Sequence, residues 1–471
     1  MKSEMPSEKV SNEMEKMTLA EIVRATGGVL IGGNPDTDFN EISTDSRAVG
    51  EGMLFVALVG EKFDGHNFAD CAVSHGAVAV VVSKDIDIHG PKILVKDTLK
   101  ALGDIATYYR MKFPIPFIGI TGSVGKTTTK DMIACVLSAK YNVHKTMGNF
   151  NNQIGLPLTL LKLEAENQIA VTEMGMSGFG EIDSLASMVM PHTCVFTNIG
   201  MSHIEKLGSR ENIRKAKLEM LNHAARGANV VFCGDDELLL AAKNNFVGFN
   251  VFSYGITNTE CDVVAKDIVY GERGTDFTIC HGENSFKVHI PVLGEHNVEN
   301  ALAAYVVGIC HGVSQEEYIS AISEFTPGNM RQNVLDVNGI TVINDCYNAS
   351  PSSVQAGLRI LNQLGNERRK IAVLGDMLEM GEWAEEAHAL VGQYVVENDV
   401  EILVTVGKNS IKIAEGAKNA GMKQENVYCF DSNDAVSEFL DAEVKKGDVI
   451  LVKGSRGMKL ETVVERLIFE E

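Results

Sequence analysis

Residues 121–128, Thr-Gly-Ser-Val-Gly-Lys-Thr-Thr, have the types and spacing to hold a phosphate. Gly122 and Gly125 let backbone N–H groups approach phosphate oxygens closely, Lys126 adds a point charge, and the Thr127 hydroxyl offers magnesium a ligand. The apolar run 117–120 before the loop reads as a buried strand. After it, Met132, Ile133, Val136 and Leu137 recur at helical spacing. Strand, loop and helix in that order bring a helix N-terminus, with its positive potential, to the bound anion. The loop is a shortened variant, with Ile120 where the usual pattern has its first glycine and Thr121-Gly122 opening the turn.

Other polar residues stand where a strand or a helix face would present them. Glu173 ends the apolar run 168–173, and Thr197-Asn198 end another, so both face the crevice beyond the strand ends of a parallel sheet. A carboxylate there can bind a metal between protein and phosphates, although in isolation Glu173 reads by default as an ordinary loop acid. His203 follows a short loop at the same mouth and is either structural or a ligand. Lys217 falls inside the stripe Ile213, Ala216, Met220, Leu221. A lysine there must snorkel out, pair or be modified. Asp345 ends a further strand, and a helix opening at Pro351 would aim its N-terminus at an anion beside it, though turn and cap chemistry explains the same residues. Arg331 could reach over a nucleotide, and residues 453–457 (Lys-Gly-Ser-Arg-Gly) form a candidate carboxylate or phosphate site. The run Ser43-Thr44-Asp45-Ser46-Arg47 alone reads as a loop.

The elements that must position these groups alternate between strand and helix, which implies parallel sheets. At 471 residues the chain exceeds one ordinary core, and about 150 residues per domain suggests three. Boundaries fall at Pro114–Pro116 and Thr326-Pro327-Gly328. The expected division is a frayed polar tail over 1–16, a small α/β domain over 17–112, a central domain over 113–326, and a second doubly wound unit over 327–471. Between Cys261 and Pro291 short alternating runs predict an antiparallel insertion. A net charge of −21 argues against nucleic acid or an anionic membrane as the main partner. Nine scattered cysteines without a C-x-x-C pair suit a reduced, cytoplasmic protein. The N-terminus has no apolar core for a signal or anchor, and apolar runs such as 77–82 are far too short to span a bilayer.

The motifs TDSRAV, LFVALVGEKFDGHNF, TGSVGKTTTK, NFNNQIGLP, TEMGM, TNIGMSH, KAKLEM, EHNVENALAA, DCYNASPSS, LGDMLEMGE and KGSRGMKLE together resemble the Mur ligases of bacterial peptidoglycan synthesis. The phosphate loop is shared with folylpolyglutamate synthetases, so it speaks only for the superfamily; FNNQIG, DCYNASP, LGDMLEMG and KGSRGMKLE point to the type that adds D-alanyl-D-alanine. The resemblance covers the chain from about Leu19 onward. It implies an α/β protein of three domains: a smaller α/β N-terminal domain gripping the UDP end of the sugar-nucleotide, a central parallel-sheet P-loop ATPase domain, and a C-terminal Rossmann-like domain. It implies an enzyme that joins D-alanyl-D-alanine to UDP-N-acetylmuramoyl-tripeptide with ATP and two magnesium ions, through an acyl phosphate; a cytoplasmic monomer is the expected form. Lys126, Lys217, His203 and Asp345 would be catalytic. Thr121, Gly122, Ser123, Val124, Gly125, Lys126, Thr127, Thr128, Asn297, Asn300 and Arg331 would bind ATP. Thr44, Asp45, Ser46, Arg47, Asn151, Asn152, Asn348, Ser455 and Arg456 would bind the other substrates. Thr127, Glu173, His203 and a carbamate on Lys217 would hold magnesium. Ser350 stands where the family often has Asn, a small departure. The competing readings are a related ligase with another acceptor or amino acid, and a nucleotide-binding switch or scaffold without turnover.

Overall fold

A computed structural model describes residues 14–60, 62–328 and 332–469. Of the expected tail, residues 1–13 lie outside the described residues, as does Arg331. Residues 14–16 are held in place: Met14 N donates to Asn40 O (3.1 Å), Glu15 N to the Tyr109 hydroxyl (2.7 Å), and the Met14 side chain is buried. The described residues divide into two compact units.

One unit takes the described residues up to Gly119, then Tyr141–Met174 and Asp183–Pro191. Its strands are β1 (Met17–Thr18), β2 (Val29–Ile31), β3 (Asp38–Phe39), β4 (Glu41–Ser43), β5 (Met53–Val56), β6 (Ala79–Val82), β7 (Lys92–Leu94), the start of β8 (Phe117–Thr121), β9 (Val143–Lys145) and β10 (Ile169–Glu173). A five-stranded sheet runs β2-β7-β6-β5-β4, parallel except for the β2–β7 edge. Phe55, Val80 and Val82 pack on one face with Ala69 and Ala72, and the oppositely facing Ala79 and Val81 are buried as well, which is why the run from Ala79 to Val82 is apolar throughout. Helix α1 (Thr98–Arg110) starts at Asp97, whose carboxylate accepts from Lys100 N (2.9 Å). At its far end the Arg110 guanidinium sits 4.1 Å from the Phe117 ring centroid and donates to Val189 O (2.9 Å).

The other unit takes Ile120–Lys140, Gly175–Ile182 and the described residues from His192 onward. From β8 the strand order continues β11 (Thr193–Phe196), β12 (Asn229–Cys233), β13 (Asn250–Gly255), β14 (Val263–Tyr270), β15 (Thr275–His281) and β16 (Asn284–Ile290). The region expected as an antiparallel insertion is antiparallel from β14 to β16. It is not a separate hairpin, however: β14 pairs in parallel with β13, so these strands lengthen the same sheet. A second sheet of β17 (Asn333–Val337), β18 (Ile340–Asp345), β19 (Lys370–Gly375), β20 (Ile402–Val406), β21 (Val427–Phe430) and β22 (Val449–Lys453) has the order β17-β18-β22-β19-β20-β21. Only its β17–β18 edge is antiparallel. Buried apolar clusters cover both of its faces, one around Leu358, Leu374 and Leu403, the other around Val342, Val373 and Val452. That is the doubly wound unit expected from sequence.

Five helices of this unit position polar groups: α2 (Lys126–Ser138), α3 (Ile204–Leu207), α4 (Arg210–Leu218), α5 (Glu295–Cys310) and α6 (Pro351–Gly365). Pro351 opens α6, where its missing N–H costs nothing, and Ser350 caps it. Helix α4 buries Ile213, Ala216 and Lys217, then tightens into a 3-10 turn over Glu219–His223. No described helix is long and apolar enough to cross a membrane.

Candidate active site

Sterics shape the loop between β8 and α2. A Cβ built on Gly122 would lie 1.8 Å from Thr197 Oγ1, so only glycine fits. Gly125, at φ +85°, turns into α2 and leaves the helix N-terminus without a side-chain cap. Residues after β11 clamp the loop from the other side. Ser123 N donates to Asn198 O (3.0 Å) and Val124 N to Asn198 Oδ1 (2.9 Å), while Asn198 Nδ2 and Thr197 Oγ1 both donate to Val124 O. The hydroxyls of Thr121 and Ser123 are buried and make no hydrogen bond among the described residues. Uncapped N–H groups, orphaned hydroxyls and nearby lysines suit a polyphosphate.

Two lysines converge on one carbonyl. Lys126 Nζ donates to Gly122 O at 2.9 Å, and Lys217 Nζ donates to the same oxygen at 2.8 Å. Lys217 is 2% exposed, so it does not snorkel. Burial, then the charge of Lys126, push its pKa well below the ordinary lysine value. Behind α2, Thr129 Oγ1 donates to Asn300 Oδ1 (2.8 Å), Asn300 Nδ2 to Asn297 Oδ1 (3.1 Å), and Asn297 Nδ2 to Leu293 O and Gln332 Oε1. Asn297 and Asn300 thus tie the start of α2 to the stretch entering the second sheet. Thr127 is buried, and Thr128 lines a small cavity with Asn297, Pro327 and Gln332.

His203 precedes α3 at φ +64°, and its Nδ1 lies 2.7 Å from Glu379 Oε2. The angle falls outside hydrogen-bond geometry, so this is a close approach rather than an aligned bond. Asp345 and Lys453 face each other across the register of β18 and β22, forming a buried ion pair at 2.6 Å, and Lys453 Nζ also donates to Asn348 O (2.9 Å). Ser455 Oγ accepts from Leu378 N (2.9 Å), and Arg456 pairs with Glu461 (2.9 Å). Sequence reading missed Lys453 as the partner of Asp345, although both close neighbouring strands. It also missed Glu379, Gln332 and the loop-clamping role of Thr197 and Asn198, which only contact reveals.

The remaining candidates lie in the first unit. Asn151 Nδ2 donates to Glu173 Oε1 (2.7 Å), and Glu173 N donates to Thr146 Oγ1 (3.1 Å), so the buried Glu173 carboxylate is oriented within its own unit. Asn152 Oδ1 accepts from Ile154 N and Gly155 N, which fixes the turn leading into the helix Gly155–Leu160. The Thr44–Arg47 run is a turn: Arg47 folds back onto Asp45 through Nε (2.9 Å) and a terminal nitrogen (2.7 Å). That contact holds the Asp45 carboxyl down at about 2.

In the second unit a cavity of about 510 Å³ opens beside Val124 and Asn198, with Glu299, Ser352 and Arg359 among its walls. Burial, with added repulsion from Asp235, Glu295 and Asp236 against a weaker pull from Arg359, pushes the Glu299 carboxyl up to about 8. The folded state therefore keeps a proton on Glu299 that the unfolded state releases near its ordinary 4.5. Stability should fall as pH rises between those values. Glu299→Gln cannot ionise, so it should gain on the wild type by at least about 1 kcal/mol over that window. Denaturant unfolding of both proteins across the window measures it; a constant difference would mean that Glu299 ionises normally.

Three family models match the chain: Mur ligase family, catalytic domain, at residues 38–110; Mur ligase middle domain at 120–308; and Mur ligase, glutamate ligase domain at 330–456. The UDP-N-acetylmuramoyl-tripeptide–D-alanyl-D-alanine ligase of Bacillus subtilis strain 168 is 41% identical over 463 residues, covering 97% of this chain and 99% of the relative. The ligase of the same name from Escherichia coli K12 is 33% identical over 458 residues, covering 96% and 99%. A crystal structure of MurF from Acinetobacter baumannii superposes with a TM-score of 0.91 at 31% identity, covering 97% of this chain and all of that one. MurF ligase from Thermotoga maritima in complex with ADP gives 0.82 at 30% identity, covering 90% and 96%. With its phosphate-loop cradle, its doubly wound second sheet and relatives matched over nearly their whole length, the chain belongs to the Mur ligase family.

Proposed function

We infer that this protein is the ATP-dependent ligase that joins D-alanyl-D-alanine to UDP-N-acetylmuramoyl-tripeptide. The observation that carries the reading is full-length similarity, at 41% and 33% identity, to two ligases bearing that name. The cradle around Gly122 supports the ATP half independently. In the reaction the terminal carboxylate of the tripeptide attacks the γ-phosphorus, ADP leaves, and an acyl phosphate forms. The dipeptide amine then attacks the acyl carbon and inorganic phosphate departs. Protein groups in such a transfer chiefly position reactants and stabilise charge.

By the residue match, Thr121–Thr128 cradle the phosphates, Lys126 neutralises them, and Asn297, Asn300 and Arg331 contact the nucleotide. Asp345, held by Lys453, acts as a catalytic acid near the ATP, and Asn348, Ser455 and Arg456 bind the other substrates. Thr44–Arg47, Asn151 and Asn152 serve the sugar-nucleotide from the first unit. Two magnesium ions would be held by Thr127, Glu173, His203 and Lys217, and they supply cancellation of phosphate charge. Oxygen and imidazole donors suit that ion, whereas an ammonium only donates. Lys217 fits the set only as a carbamate. Its buried, low-pKa amine favours the neutral form that adds CO₂ and releases a proton. We place domain boundaries at 112 and 326, and propose a cytoplasmic monomer with no nucleic-acid partner, in keeping with the net charge of −21.

Phosphate release from ATP, measured with UDP-N-acetylmuramoyl-tripeptides ending in lysine or in diaminopimelate, tests the reading. Release should require both the tripeptide nucleotide and D-alanyl-D-alanine. Turnover with glutamate or a single amino acid in place of the dipeptide would move the protein to another ligase activity. No turnover with any acceptor would leave a nucleotide-binding scaffold.

A further inference from the structure

The geometry points to Glu379 as the positioning residue that orients the His203 imidazole toward a divalent cation, through the close approach of its Oε2 to His203 Nδ1. The inference rests on His203 being a cation ligand. Glu379 lies in the LGDMLEMGE stretch after β19, a motif to which the reaction assigns no role. Both residues hold backbone conformations that non-glycine side chains rarely adopt, His203 at φ +64° and Glu379 at φ +62°. The Glu379 side chain is 63% exposed, and an ion pair that open contributes little to stability. Strain at two residues outweighs that contribution, and strain kept in place without a stability return marks a functional geometry.

The packing around the pair is equally specific. The turn after Glu379 lies directly on α3: a Cβ on Gly381 would sit 2.7 Å from Glu205 Cγ. Only a glycine lets the turn come that near the helix that His203 opens. A carboxylate 2.7 Å from Nδ1 favours the tautomer with its proton on that nitrogen, which would leave Nε2 as the lone-pair donor. Carboxylates commonly act this way behind metal-ligating histidines, where losing the partner weakens metal binding 10- to 100-fold. The loop that follows β19 would thereby couple the second sheet to cation binding at the first.

Binding of Mn²⁺ in the presence of a non-hydrolysable ATP analogue, followed by the electron paramagnetic resonance of the free ion, tests this without turnover. Four proteins are compared: wild type, Glu379→Gln, His203→Ala and the double variant, each checked for an unchanged thermal midpoint. Glu379→Gln should weaken Mn²⁺ about 10-fold, His203→Ala should weaken it at least as much, and the double variant should match His203→Ala. Unchanged affinity in Glu379→Gln while His203→Ala binds weakly would overturn the role of Glu379 and leave the ligand reading intact. Additive losses in the double variant would also overturn it, since Glu379 would then act elsewhere. Unchanged affinity in His203→Ala would remove the ligand reading and the inference with it.

Discussion

Lys126→Ala should abolish ligation while the protein stays folded. The Lys126 amine sits over the Gly122 and Ser123 carbonyls at the uncapped start of α2, where a polyphosphate would lie. Removing one charge aimed at a transferring phosphoryl group costs about 3–4 kcal/mol, or 10²–10³ in kcat. A second effect adds to this. The Lys126 charge contributes to the low pKa of Lys217, so its loss should make Lys217 hold its proton more strongly and resist carbamylation. Lys126 is partly exposed and packs no core, so the melting temperature should change little. Ligation within about tenfold of wild type at saturating ATP would be incompatible with a phosphate-neutralising role.

Lys217→Ala should be comparably severe, and for a different reason. Its amine lies fully buried against Gly122 O, with Lys126 on the same oxygen. Two ammonium groups sharing one acceptor repel, and burial adds to the cost of the charged form. A carbamate reverses the sign of the charge and supplies two oxygens to a hard cation. Activity in Lys217→Ala should fall by at least about 10², and a small carboxylate in the buffer should restore part of it by filling the vacated volume. Wild-type enzyme stripped of CO₂ and bicarbonate should lose activity and regain it on adding bicarbonate, with a new carbamate carbon signal from labelled bicarbonate. Full activity after prolonged stripping would leave Lys217 a plain ammonium that braces the loop.

Much of the fold was legible in consecutive residues. Burial acts on neighbours along the chain, so it writes a period of two or of 3.6 that can be read without knowing the partner. The run 117–120, the face Met132, Ile133, Val136, Leu137, the Ser350-Pro351 helix start and the alternation behind the second sheet are all of this kind. Even the inward direction of Lys217 followed from its place on the stripe. Where its amine ends was decided elsewhere, because Gly122 lies 95 positions away and meets Lys217 only through the order of strands in the sheet. The Asp345–Lys453 pair spans 108 positions, and the register of β18 on β22 creates it. Thr197 against Gly122, the parallel joint between β13 and β14, and Glu379 beside His203 are likewise products of strand order and loop packing. Local pattern says which face of an element is buried. Which groups meet on that face depends on sheet order, and no short stretch of chain carries that information.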